Sequence, residues 1–503
     1  VYQRCFIIVV AAAACGDNHA THPDAPVDIG ASVLELHGSP TRAGAYVAPN
    51  LTHAAAANLH VDPTFVATYA GNVFAQALYY DGGGAGDLVI AASEMNVVSA
   101  FDSSGQIVWK QTLGDPQPMP NPAEGANCGD IDPLGITGTP VIDYATRTLY
   151  LDAMIRDNNA AHHRIFALSL DDGSTRTGWP VDVGTAFASA PNPFLPAPQN
   201  QRGGLTLHHG FLYVPYGGHA GDCGNYRGWV VAVPLANPSH ATAFSTRDRA
   251  SGAWTPGGMS GDGANVFVVF GNGEGGATWG DSESIIRFGS GAEFSGATKD
   301  YWVPTNWQEL DAGDIDLTGP AMVVDLPGAT PSALLFATGK DGGVYLVDRT
   351  NMGGISDPVA SLTVGTTIIG VSALYQTPLG TYVVVRSHGM ASCPGSVPGT
   401  GLAAIRIDPG TPPQMSLAWC GTSGIVGSPI ATTTDGTHDA IVWAIGAESD
   451  QRMHGYDGDT GAEIFTGGGA GDAVMSTSRF ITPIYAKGRI FVATDGRLYA
   501  FTE

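Results

Sequence analysis

The sequence predicts an all-β fold: a β-propeller of four-stranded antiparallel blades, with eight blades favoured over seven. Three observations predict it. A unit of apolar strands and turns recurs about every 45–50 residues, a period that belongs to propeller blades. Glycine (69) and proline (33) make up about a fifth of the 503 residues, and charged residues stop at 14%. The charged share of an average domain is roughly 25%, so this composition favours short strands and tight turns. Long helical periodicity is absent, and the one short helix expected lies in "NLTHAAAANLH".

The units follow one another in order. "GDLVIAASEMNVVSAFDSSGQIVWKQTLG" opens the series, then "ITGTPVIDYATRTLYLDAMI" with "HHRIFALSLDDGSTRTGWPVDVG". "GGLTLHHGFLYVPYGG" joins "YRGWVVAVPL", and "GMSGDGANVFVVFGNGEGG" joins "ESIIRFGSG". "GPAMVVDLPG" leads to "SALLFATGKDGGVYLVDRT", and "VSALYQTPLGTYVVVRSHG" to "GLAAIRIDPG". "VGSPIATTTDGTHDAIVWAIG" precedes "MHGYDGDTGAEIF", and "FITPIYAKGRIFVATDGRLYAFTE" closes the chain one strand short. The stretch near "NVFAQALYY", or just before it, is expected to complete that last blade from the N-terminal side. A radial arrangement hides the strand edges that so many small sheets would otherwise expose.

The N-terminus reads as an export signal. Arg4 precedes an apolar run from Cys5 to Ala14 that is too short for a permanent membrane span. Ala12-Ala13-Ala14-Cys15 resembles a bacterial lipobox, which makes residues 1–15 a lipoprotein signal peptide and Cys15 the lipidated residue. Residues 16–36 are polar and without period, and read as a flexible tether; 37–503 form a single propeller domain. The expected location is a bacterial outer membrane or cell envelope, with lipid as the only membrane contact, or else a secreted state.

A net charge of −24 repels polyphosphate backbones and excludes nucleic acid as a partner. Export also explains the cysteines. Cys128, Cys223, Cys393 and Cys420 remain once Cys5 and Cys15 are set aside, an even number for an oxidising compartment. Of the three pairings, Cys128–Cys223 and Cys393–Cys420 join adjacent repeats and a single repeat. No CxxC favours zinc.

The repeat turn carries a resemblance. "AFDSSGQIVW" has Ala100, Asp102, Gly105 and Trp109, and "GYDGDTGAEIF" has Asp457, Thr460 and Gly461 at full spacing. "ALSLDDGSTRTGW" is a stretched version ending at Trp179. These resemble the repeat of the quinoprotein alcohol dehydrogenase-like superfamily, the propellers named for pyrroloquinoline quinone (PQQ). From about residue 37 onward the order of motifs is similar to secreted PQQ-like propellers without a general activity. Each residue of the turn also has a structural reason: Asp accepts backbone N–H bonds, Gly supplies a positive φ, and Trp packs between blades. Asp102, Gly105, Trp109, Trp179, Asp457 and Gly461 are therefore read as structural.

The resemblance implies a quinone in the central channel, a calcium ion held by carboxylate and amide oxygens, a catalytic Asp and two adjacent cysteines beneath the quinone. No two cysteines are adjacent here, and there is no CxxCH haem motif. The pairs His162-His163 and His208-His209 point to opposite faces of their strands and cannot readily grip one ion. The expected site is instead the channel mouth, where loops supply Arg202, His219, Asp222, Glu274, Asp281, Asp314, Asp316 and Lys340. Two functions fit: a non-catalytic, lipid-anchored monomer binding an envelope protein, glycan or small molecule, or a PQQ- and calcium-dependent oxidoreductase of an alcohol or sugar.

Overall fold

Apolar runs separated by Gly- and Asp-bearing turns build eight antiparallel sheets in a computed structural model that describes residues 28–83, 86–253, 256–389, 393, 401–421, 424 and 427–503. Cys15 and the rest of the leader lie outside the described residues, as does the tether up to residue 27. The blades occupy 78–112, 141–182, 206–245, 260–303, 317–363, 367–420, 430–466 and 484–502, numbered here 1 to 8. The favoured count of eight blades is the observed one.

Blade 8 takes three strands from the C-terminus, Ile484–Ala486, Arg489–Thr494 and Arg497–Thr502. Its outer strand comes from His60–Val61, with His60 opposite Thr502 and Val61 opposite Phe501, and Ala67–Thr68 pairs further along the same edge. The closing segment thus lies just before "NVFAQALYY", whose Leu78–Tyr80 instead begins blade 1. The short helix forms at His53–Ala56, where the Thr52 hydroxyl accepts the Ala55 N–H at 3.2 Å.

The core is divided among the blade interfaces. Leu78, Val98 and Trp109 of blade 1 pack with Ile142, Leu151 and Leu168 of blade 2, and Tyr382 and Trp419 of blade 6 pack with Val442 and Tyr456 of blade 7. The repeat turn fastens these interfaces. Asp102 accepts the N–H groups of Ser104 and Gln106, and Asp457 those of Asp459 and Thr460. The Trp109 indole donates to the Leu170 carbonyl of the next blade at 2.8 Å, and Trp419 to that of Gly458 at 2.8 Å. Trp179 is half-buried, its ring 5.4 Å from that of Tyr150.

Residues 33–44 corrects the tether boundary. Val33 is 2% and Leu36 3% exposed, because the segment winds once around the inside of the channel and bonds to the blades in sequence. Val33 pairs with Tyr79 of blade 1, and the Leu34 carbonyl accepts from Ile142 of blade 2. Glu35 accepts from the Thr206 hydroxyl of blade 3. Carbonyls of Pro40, Thr41, Ala43 and Gly44 then accept from Gly261, Val323, Leu374 and Ala431 of blades 4, 5, 6 and 7. Ala45–Val47 adds a parallel strand inside blade 7. A segment that meets each blade with one or two residues needs no strand or helix period, so its pattern resembles that of a tether.

The described cysteines pair as Cys128–Cys223 and Cys393–Cys420, the pairing expected from the repeats.

Candidate functional site

Loops that precede the first strands of several blades, and loops that join the second to the third strand in blades 3 and 5, converge at one end of the channel around a cavity of about 270 Å³. Six of the eight sequence-expected residues line it: Arg202, His219, Asp222, Asp314, Asp316 and Lys340. A narrower hole of about 30 Å³ continues toward the axis, between Phe74, Thr137, Thr139 and Val371, and meets Leu36 of the axial segment. The disulfide between Cys128 and Cys223 braces two of the mouth loops, with Asp130 and Asp222 as sequence neighbours of its ends.

Local backbone shape positions several of these groups. Asp222 (φ 49°) and Asp314 (φ 51°) adopt left-handed conformations that Asp tolerates better than most residues. Asp222 accepts the Tyr226 hydroxyl, and Asp314 ends the helix Trp307–Gly313. Asp316 accepts the Asn272 N–H at 2.8 Å and has almost no exposed surface.

The charges at the mouth answer one another. Lys340 Nζ stands 3.0 Å from Asp314 and is also ion-paired with Asp316. Burial alone would lower the Lys340 pKa, but the two carboxylates outweigh it and raise it, whereas burial raises that of Asp316 against the pull of Lys340. Arg202 Nη2 donates to Asp130 at 3.0 Å, and burial lowers the guanidinium pKa. His219 donates from Nε2 to the Ala197 carbonyl at 2.8 Å, and burial lowers its pKa to about 4, so the ring is neutral at pH 7. Beneath Arg202, Glu94 is fully buried and accepts the Gly135 N–H at 2.7 Å; burial raises its pKa to about 7.

Two expected residues stand outside the cavity lining. Glu274 pairs with Arg249 at 3.0 Å in a half-exposed loop, and buried Asp281 takes a fork from Arg247 at 2.7 and 3.0 Å. His162 and His163 pair separately with Asp182 and Asp152, which keeps them from sharing an ion. The sequence reading missed Asp130, Arg479 and Phe480, which line the same cavity. A positional signal existed: "CGDIDPLGITGTP" and "SRFITP" both lead into first strands, as the Arg202 loop does.

Among the described residues no three His, Cys, Asp or Glu side chains group so as to hold a metal ion. No indole is among the described residues that wall the cavity.

No protein-family model and no curated protein matches the chain. Solved structures do. A quinohemoprotein alcohol dehydrogenase from Comamonas testosteroni aligns with a TM-score of 0.63 at 14% identity, over 94% of this chain and 81% of that one. A second, from Pseudomonas putida, gives 0.61 at 12% over 94% and 80%. A europium-containing methanol dehydrogenase gives 0.60 at 12% over 94% and 98%. At these identities the likeness is one of fold, and this chain has the eight-bladed propeller fold of the quinoprotein alcohol and methanol dehydrogenases.

Proposed function

We propose that the protein is a non-catalytic propeller that binds a small polar molecule at the mouth of its channel, exported and held at the cell envelope through lipid on Cys15. One observation carries the binding reading: a cavity of about 270 Å³ is walled by charged side chains held in place by partners, Arg202 by Asp130 and Lys340 by Asp314, and is backed by the axial segment at Leu36. Walls of this kind orient a ligand by hydrogen bonds without first having to neutralise it. Pre-paired charges are also held in place, which reduces the ordering cost of binding.

The competing reading, a quinoprotein dehydrogenase, draws on the fold likeness, and fold is a weak guide to function. The test uses the chain without residues 1–15, mixed with PQQ and calcium and assayed for bound quinone absorbance and for dye reduction with a panel of alcohols and sugars. Neither quinone retention nor turnover is expected. Stoichiometric quinone with turnover on any alcohol would replace the binding reading by the dehydrogenase one.

A further inference from the structure

We infer that the molecule bound at the mouth is a small hydroxy acid, a monoanion whose carboxylate docks against Arg202 and Arg479 and whose hydroxyls face Asp222, Asp314 and His219. The inference rests on the binding reading above and names its ligand class. Only 22 residues of the whole chain are Lys or Arg, and Arg202, Lys340 and Arg479 line this one cavity, with Arg386 behind it donating to the carbonyl of Ile369, another lining residue.

The arginine side carries a surplus of positive charge. Asp130 lies 3.0 Å from Arg202 and 3.6 Å from Arg479, bridging the two guanidinium groups. Glu448 accepts from Arg479 Nε at 3.2 Å and acts electrostatically on Arg386. Arg202, Arg386 and Arg479 thus share Asp130 and Glu448, together with the buried Glu94 behind Arg202, whose pKa burial raises to about 7 and which is therefore part-protonated at neutral pH. In addition, Arg202 Nε is buried without a hydrogen-bond partner among the described residues, as are the Nε atoms of Arg176, Arg249 and Arg497, but of the four only Arg202 lines this cavity. A buried guanidinium N–H is rarely left unanswered, and a carboxylate is the acceptor that fits both its geometry and its charge.

Apart from Lys340, the rest of the lining offers acceptors. Asp222, Asp314 and Asp316 are acceptors, and His219 has spent its Nε2 proton on Ala197, which leaves Nδ1 to accept. A second carboxylate beside these aspartates would meet like charge, whereas hydroxyl groups can donate to Asp222, Asp314 and His219 Nδ1. Phe480 and Phe74 give the ligand's carbon chain an apolar wall.

Matched pairs of probes test this. Gluconate and glucitol share a six-carbon hydroxylated chain and differ in the carboxylate, as lactate and propane-1,2-diol do on a smaller scale. Calorimetric titration should show the acids binding at least about tenfold more tightly than their alcohols, with affinity falling as salt rises. Arg479→Gln, at a half-exposed position that folding tolerates, should weaken acid binding about tenfold, and Arg479→Lys should restore part of it. Equal or tighter binding of the alcohols overturns the inference and leaves the binding reading standing. Silence of both acids, or full affinity in Arg479→Gln, overturns it as well.

Discussion

Arg42 sits on the propeller axis with no exposed surface, at a left-handed φ of 64°. Its guanidinium donates to the Met259, Leu36 and Leu205 carbonyls at 2.6, 2.9 and 3.0 Å and to Glu35 at 2.8 Å. Such a charge is tolerable only because its donors are met. His37 beside it donates from Nδ1 to the Arg42 carbonyl at 3.2 Å, and burial lowers its pKa to about 3. In the unfolded chain the imidazole titrates near its ordinary value of 6.5. Between these values the unfolded chain binds a proton that the folded one refuses, so acid weakens the fold. The loss is about 1.4 kcal/mol per pH unit for each such proton. His219 acts in the same direction, with its own pKa lowered to about 4. His37→Asn retains a residue that tolerates the left-handed backbone and should flatten the fall in the urea midpoint between about pH 7 and about pH 4. An unchanged slope would show that His37 does not carry the effect.

At the scale of the element, the repeat turn works through close approach. Gly461 has φ 71°, and a Cβ there would lie 2.7 Å from the Trp419 ring; Gly173 stands in the same relation to Trp109, at 2.6 Å. Glycine is required at these points by both the backbone and the neighbouring blade. Gly461→Ala should therefore cost about 2–3 kcal/mol, the sum of a left-handed backbone and an overpacked interface. Gly436→Ala, at φ 103° with open space around it, should cost only about 1 kcal/mol. Denaturant midpoints of the two variants compare the terms directly, and equal losses would remove the interface from the account. The Asp, Gly and Trp of this turn were legible because the turn is local. That Trp109 meets Leu170 and Gly173 was not, since the indole reaches over to the next blade.

At the scale of the whole molecule, the ring is closed twice from the N-terminal side: at the rim of blade 8 by residues 60–68, and on the axis by residues 33–47. Asp81 reinforces the seam between the first and last blades, accepting from Lys487 at 2.7 Å and from the Ala31 N–H at 3.0 Å. A chain beginning at residue 49 keeps every blade strand of the rim but loses the axial turn. It should melt at least about 10 °C lower than the chain beginning at residue 16, or lose its single transition, in a calorimetric scan. An unshifted melting temperature would mean that the blade interfaces alone hold the ring. The sequence by itself determined the blade and its repeat, because periodicity and turn chemistry are properties of neighbouring residues, and of three possible cysteine pairings it favoured the one that the structure shows. It also picked out six mouth residues from their loops. Only the tertiary structure decided that Asp130 and Arg479, far apart in the chain, face Arg202, and that residues 33–44 wind around the axis. A segment held by one bond at a time to successive blades leaves no local pattern, and its place is set by the ring that closes around it.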